Sequence, residues 1–254
     1  MKTKFLVAAA AAALTAGAAH AAPTNLSTWT LEGDGNWVVA ADQNSVTQTQ
    51  NVNPGVYYSD FNSIGRSLSG TIKVNTTGDD DFIGFVVGFN PGDMTDGASD
   101  FLLIDWKQGT QGSFGCNADA GLAVSRVSTG LANNRGAWCH DANGVTELTR
   151  ATGLGATGWT DNQTYTFDIE YTATNLKVFV DGALQVNLAG TFSDGRFGFY
   201  NYSQANVTYA GIQDDVLPPP TGAIPEPSTW AMMIMGFGGA GAVIRRRRSA
   251  ILSA

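Results

Sequence analysis

Charged side chains are scarce: Asp, Glu, Lys and Arg together make up 14% of the 254 residues, against roughly a quarter in an ordinary soluble protein. Long surface helices and coiled coils draw on Glu, Lys and Arg, so the shortage excludes them. Basic residues are scarcest in the body of the chain. Of 14 in all, Lys2 and Lys4 lie at the N-terminal tip and Arg245 to Arg248 near the C-terminus, which leaves eight between these ends against all 22 acidic residues, a net of −14 over 5–244. Such a body repels phosphate backbones, which excludes nucleic acid and makes cations the natural partners. Cysteine and histidine occur twice each. A zinc site built from Cys116, Cys139 and His140 lacks the usual ligand spacing, because Cys139 and His140 are adjacent. No G-x-S-x-G elbow is present, so a serine hydrolase of that type has no nucleophile.

What is present is a normal apolar fraction, 43%, with 31 glycines. That is enough apolar surface for a folded core and enough turn-forming residues for many short elements. The ends read as addresses. Met1 to Ala21 has a positive tip, an Ala-dominated apolar run from Phe5 to Ala19, and the small-x-small sequence Ala19-His20-Ala21. This is the pattern of a secretory signal peptide cleaved before Ala22. At the other end a Pro-rich linker over 216–224 precedes Pro225-Glu226-Pro227-Ser228, the uncharged stretch Thr229 to Ile244, and four arginines. Sixteen helical residues reach only about 24 Å, short of a hydrocarbon core of roughly 30 Å, and four glycines weaken the helix further. The arginines belong on the cytoplasmic side, leaving the body outside.

Residues 225–254 resemble the PEP-CTERM sorting signal of Gram-negative bacteria, on Pro225-Glu226-Pro227, the apolar span and the arginine cluster in that order. The resemblance implies transient inner-membrane anchoring through the span, processing by an exosortase, and release to the cell surface or an extracellular, polysaccharide-rich matrix. A permanent single-pass anchor is the alternative reading of the same residues.

The body, 22–215, reads as all-β. Thr164 to Tyr171 alternates strictly, with Tyr165, Phe167, Ile169 and Tyr171 on one face, the mark of a half-buried antiparallel strand. Leu176 to Val180 and Ala183 to Val186 flank Asp181-Gly182, a hairpin turn signal. Phe82 to Phe89, Phe101 to Trp106 and Phe197 to Tyr202 are apolar runs suited to strands buried on both faces. Helical periodicity is absent, and no repeat emerges. The expected fold is an antiparallel two-sheet jelly-roll sandwich. In an exported chain the two cysteines are expected to pair. A Cys116–Cys139 bond would close a 24-residue loop, worth about 3 kcal/mol in the chain-entropy model, and would staple a Gly- and Asn-rich loop poor in apolar residues.

Two polar patterns remain. Asp168 and Glu170 share a strand face as a sugar-cleaving pair would, but Thr166 stands where the laminarinase-type Glu-x-Asp-x-Glu pattern needs its first carboxylate. The simpler reading is the solvated face of an edge-type strand. Asp79-Asp80-Asp81, leading into the strand at Phe82, repel one another unless water or a cation intervenes. Ca²⁺ takes six to eight oxygens from carboxylates, carbonyls and water, and a turn of this kind offers both protein types.

From about Trp29 to Ile212 the chain resembles the thrombospondin C-terminal domain, a lectin-like jelly roll of the concanavalin A type. The resemblance runs in order through Asn75-Thr76, Asp79-Asp80-Asp81-Phe82, Gly84-Phe85, Gly88-Phe89, Phe101, Trp106-Lys107-Gln108, Gly121-Leu122, Trp138, Gly158-Trp159, Gly195-Arg196-Phe197-Gly198, Ser203-Gln204 and Asn206-Val207. It implies a calcium-binding, non-enzymatic adhesive module, with Asp79, Asp80 and Asp81 as calcium ligands. The partner it implies is an extracellular polysaccharide or a surface protein. Asn201 replaces a family cysteine, and Asp105 replaces an apolar residue, either adding a ligand or facing water. Trp29, Trp37, Trp106, Trp138 and Trp159, with Tyr57 and Tyr58, are read individually as packing residues. Together they are a candidate stacking platform for sugars, with Asn201, Tyr202, Ser203 and Gln204 as hydrogen-bonding neighbours.

Overall fold

A computed structural model describes residues 23–141, 144–218 and 234–235. The signal segment 1–21, the sorting motif Pro225, Glu226 and Pro227, and the arginine cluster lie outside the described residues, as does the apolar span apart from Ile234 and Met235. Among the described residues no helix is long and apolar enough to cross a membrane. One unit of the chain ends at Leu217 and a second begins at Pro218.

In chain order the strands are β1 (Thr30–Gly33), β2 (Trp37–Val39), β3 (Ser45–Gln48), β4 (Gly55–Asn62), β5 (Arg66–Val74), β6 (Phe82–Phe89), β7 (Phe101–Lys107), β8 (Gln111–Ser113), β9 (Cys116–Ala118), β10 (Gly121–Val127), β11 (Val145–Arg150), β12 (Thr164–Tyr171), β13 (Asn175–Val180), β14 (Ala183–Ala189), β15 (Arg196–Tyr202) and β16 (Val207–Val216). The first sheet runs β1-β4-β15-β6-β7-β10-β11 and the second β14-β13-β12-β5-β16-β3-β2, with β8 and β9 forming a separate hairpin. Every neighbouring pair is antiparallel. The expected all-β antiparallel two-sheet sandwich is what the chain forms.

The alternation of β12 does what its period dictates: Tyr165, Phe167, Ile169 and Tyr171 are buried between the sheets, while Asp168 and Glu170 face outward. Rings from the two sheets meet in that core, Phe85 against Phe167 at 4.4 Å and Phe199 stacked on Tyr209 at 4.2 Å. Asp181 and Gly182 both have positive φ, 49° and 74°, as the tight hairpin between β13 and β14 requires. β12 is an interior strand between β13 and β5, so the edge-type assignment is corrected; the alternation reflects one buried face and carries no information about position in the sheet.

β6 is buried along its whole length because its sheet is covered on both sides. Phe82, Val86, Phe101, Leu103, Tyr200 and Tyr202 project from the outer face into a second apolar cluster. Met94 and Leu131 from the connections, Ala137 and Trp138 from the short helix α1 (Asn134–Cys139), and Val145 at the start of β11 close over them. This helix is a turn and a half, too short for its periodicity to stand out in the sequence. Asn133 caps it, its side chain accepting from Arg135 N and Gly136 N. Cys116 and Cys139 are disulfide-bonded, tying β9 to α1. The segment they enclose is more than a loop, since it contains the buried strand β10 between β7 and β11.

Candidate metal centre and adjoining cleft

The connection from β5 to β6 crosses from the second sheet to the first and carries Asp79, Asp80 and Asp81. One carboxylate oxygen from each lies within 4.8 Å of the others. Asp79 accepts through Oδ2 from Asn51 Nδ2 and through Oδ1 from the Asp80 N–H at 3.2 Å. Partial burial, and then the Asp81 charge, push its carboxyl up to about 6. Asp80 is the open member, with a side chain 42% exposed. Its carboxylate lies over Gly109, where any Cβ would come within 2.5 Å of Asp80 Oδ2. The Asp80 carbonyl accepts from the Gln108 and Gly109 N–H groups at 3.1 and 3.4 Å.

Asp81 is the closed member. Its N–H donates to Gln204 Oε1 at 3.0 Å, and its carbonyl accepts from Trp159 Nε1 at 3.0 Å. Its side chain meets Lys107, whose Nζ donates to Asp81 Oδ1 at 2.5 Å, to the Asp80 carbonyl at 3.2 Å and to Gln111 Oε1 at 3.3 Å. The ammonium also sits 4.7 Å from the Trp138 ring centre and 5.1 Å from that of Phe82. Carboxylates beside carbonyls at a partly open turn are the donor set of a hard cation. At the outer edge of this turn Asp79 and Asp80 offer oxygens of the kind such a cation takes, with room for water beside them.

Beside the turn opens a cleft of about 460 Å³. Its lining includes Asp81, Gln111, Trp138 and Tyr202, and also Asn51, Asn53 and Asp34. Phe114, at the tip of the β8–β9 hairpin, is 48% exposed and holds φ at 50°. The polar wall is tied together before any ligand arrives. Asn53 Nδ2 donates to Asp34 Oδ2 at 3.0 Å, Asn134 Nδ2 to Asn53 Oδ1 at 2.7 Å, and Ser203 Oγ to Asn51 Oδ1 at 3.3 Å. Asn51 thus touches both the acidic turn and the cleft.

The remaining sequence candidates separate. Asn201 and Gln204 are buried and satisfied internally, Asn201 Nδ2 donating to the Gln204 carbonyl at 3.1 Å. They offer nothing to a sugar, whereas Tyr202 and Ser203 line the cleft. Trp29, Trp106 and Trp159 belong to the inter-sheet core with Tyr57, Trp37 packs against that core, and Tyr58 joins the outer cluster. Of this aromatic set only Trp138 borders the cleft. Asp105 neither joins the acidic turn nor faces water. It is 1% exposed, and the ring of His140 lies beside it, Nε2 to Oδ2 at 3.3 Å. Burial pushes its carboxyl up to about 6. The cysteines are consumed by their disulfide, which removes the thiolates a Cys116–Cys139–His140 metal site would need. Glu170 is paired to Lys177 at 2.6 Å on the outer face of the second sheet.

Sequence reasoning named Lys107 only within Trp106-Lys107-Gln108 of the family resemblance, with no role, and did not single out Asn51 or Phe114. Lys107 left a trace, a lone cation ending the apolar run of β7; Asn51 and Phe114 left none.

Fold, acidic turn and cleft define an antiparallel two-sheet sandwich of the lectin type with a candidate cation-binding edge. The chain belongs to the thrombospondin C-terminal region family, whose model matches residues 32–216. The PEP-CTERM protein-sorting motif matches residues 223–248 and marks the chain for export, with a transient membrane-anchored sorting step and processing by an exosortase. The chain is 29% identical to thrombospondin-3b of Danio rerio over 198 residues, 70% of this chain and 20% of that protein. It is 30% identical to cartilage oligomeric matrix protein of Homo sapiens over 207 residues, 73% of this chain and 26% of that protein. It therefore matches only about a fifth to a quarter of these relatives' length. Among solved structures it resembles the carbohydrate-binding module CBM66 from Bacillus subtilis (TM-score 0.53, 11% identity, 74% of this chain and 95% of that one). It also resembles the VIP36 exoplasmic/lumenal domain in a Ca²⁺/Man-bound form (TM-score 0.50, 14% identity, 78% and 86%). At such identities the likeness is one of fold.

Proposed function

We propose that this protein is an exported, calcium-binding adhesive module of the extracellular matrix or cell surface, which engages polysaccharide through the cleft beside the acidic turn. The observation that carries the reading is the adjacency of the two: Asn51 bonds Asp79 of the turn and Ser203 of the cleft wall. Calcium at this acidic turn would fix the turn and, through Asn51, the wall. The rim supplies amides and hydroxyls for sugar hydroxyl groups, and Phe114 supplies an apolar face for a pyranose ring. Among the described residues no basic side chain lines the cleft, which favours neutral sugars over uronates. Binding to sugar and calcium, named for the VIP36 structure, supports the same assignment.

The role is binding, without catalysis. Glu170 is committed to Lys177, and Thr166, at the position of the absent first carboxylate, bonds Asp181 through its N–H and hydroxyl. The test is co-sedimentation of the protein with the producing cell's own exopolysaccharide in calcium and in EDTA. Binding lost in EDTA is the expected result. Absence of binding in both buffers replaces the polysaccharide with a protein partner or a purely structural role.

A further inference from the structure

Lys107 is the one basic side chain in contact with the acidic turn among the described residues, and it has no exposure at all. Its position follows from strand register. β6 and β7 pair antiparallel with Phe82 opposite Lys107, which sets the lysine beside the last residue of the turn. Three oxygen acceptors and two aromatic faces surround the ammonium, and the Asp80 carboxylate stands farther off, its Oδ1 at 3.8 Å against 2.5 Å for Asp81 Oδ1. That environment replaces the water the charge has lost. Asp81 is equally fixed, its backbone bonded on one side to Gln204 and on the other to Trp159. Neither partner can turn toward solvent. Asp79 and Asp80 differ in kind, since both are only partly buried.

We propose that Lys107 is a tethered cation that neutralises Asp81 from inside the fold, so that the acidic turn forms without a metal and a divalent ion is held by Asp79 and Asp80 alone. Three carboxylates against one ammonium leave two negative charges, the complement of one divalent cation. The metal half of this inference rests on the calcium reading above; the Lys107 half does not.

The full chain is compared as wild type, Lys107→Met, Asp81→Asn with Lys107→Met, and Asp79→Asn with Asp80→Asn, each melted in EDTA and in millimolar calcium. In EDTA, Lys107→Met melts roughly 10 °C below wild type, because an unpaired carboxylate is left buried. The Asp81→Asn, Lys107→Met protein recovers most of that loss, since both charges leave together. A Lys107→Met protein that does not fold, beside a double variant that does, gives the same support. Calcium raises the melting temperature of wild type and of the Asp81→Asn, Lys107→Met protein, but not of the Asp79→Asn, Asp80→Asn protein. Unchanged melting of Lys107→Met in EDTA overturns the tethered-cation role. A folded Asp81→Asn, Lys107→Met protein that has lost the calcium response makes Asp81 a metal ligand and overturns the division of the turn. A wild type indifferent to calcium removes the metal half and the calcium reading together, while the EDTA comparison still decides what Lys107 does.

Discussion

Lys107 Nζ stands 2.5 Å from Asp81 Oδ1, and the two side chains are 0% and 6% exposed. A run of three aspartates that looks wholly solvent-facing in sequence is therefore anchored from beneath. The same ammonium lies under the Trp138 ring, so the base of the acidic turn and the wall of the cleft share one charge.

Calcium is expected to stabilise the protein. At a hundredfold excess over the dissociation constant the gain is about 2.7 kcal/mol, roughly 5–10 °C in melting temperature for a domain of this size. Asparagine at 79, 80 and 81 together should abolish the rise. Differential scanning calorimetry with and without calcium measures it, and a flat response in the wild type rules calcium out.

Phe114 is the aromatic side chain at the cleft that is free to meet a ligand. Phe114→Ala should weaken polysaccharide binding by roughly 1–2 kcal/mol, about 5- to 30-fold. Its melting temperature should fall only modestly, because about half of the ring is exposed and the rest meets Trp138 edge-on at 6.2 Å; binding is compared below the lower melting point. Equal retention of both proteins in affinity electrophoresis through the polysaccharide would place the ligand elsewhere.

Asp105 gives a pH dependence with a definite sign. Burial raises its folded-state value to about 6, above an unfolded value of about 3.9. The folded protein thus holds the proton more tightly, and that stabilisation is complete below about pH 4 and lost as pH rises through about 6. Asp105→Asn has no charge to bury and should be more stable than wild type at pH 7.5 by up to about 3 kcal/mol. The gap should close toward pH 4. Urea unfolding at the two pH values decides it: an equal gap at both would mean that burial does not hold the Asp105 carboxyl in its protonated form.

Reduction of Cys116–Cys139 frees α1 from β9. The expected cost is about 3 kcal/mol, a fall of roughly 6–12 °C in melting temperature. Trp138 adjoins Cys139 and borders the cleft, so polysaccharide binding should weaken before the fold is lost. Melting and co-sedimentation with and without a reducing agent, each below the lower melting point, separate the two effects.

The sorting tail predicts that mature protein from the producing cell lacks Trp230 and everything after it. Intact mass spectrometry reads this directly, and a mass that includes Arg245 to Arg248 would make the tail a permanent anchor.

Local pattern carried much of the fold. The strict alternation of Thr164 to Tyr171 needs only a period of two to name its buried face, and Asp181-Gly182 needs only the sterics of positive φ to name its turn. The all-apolar run of β6 announced a strand covered on both faces, though what covers the outer one was hidden in a helix of six residues. The candidate site was legible where it is contiguous, in Asp79 to Asp81, and in the cysteine pair, where export and parity suffice. Asn51 and Asp79 are 28 residues apart, Lys107 and Asp81 26, and Ser203 and Asn51 152. Lys107 meets Asp81 because β6 pairs with β7, and Asn51 meets Asp79 and Ser203 because β15 lies between β4 and β6; register is a property of the whole packed sheet. Sequence by itself determined the class of fold, the export signal and the acidic turn, because each is written in adjacent residues. The tertiary structure alone decided that Lys107 serves Asp81, that Asp105 is buried beside His140, and that the turn borders a cleft. Those contacts depend on which strands lie side by side, and local pattern does not specify that.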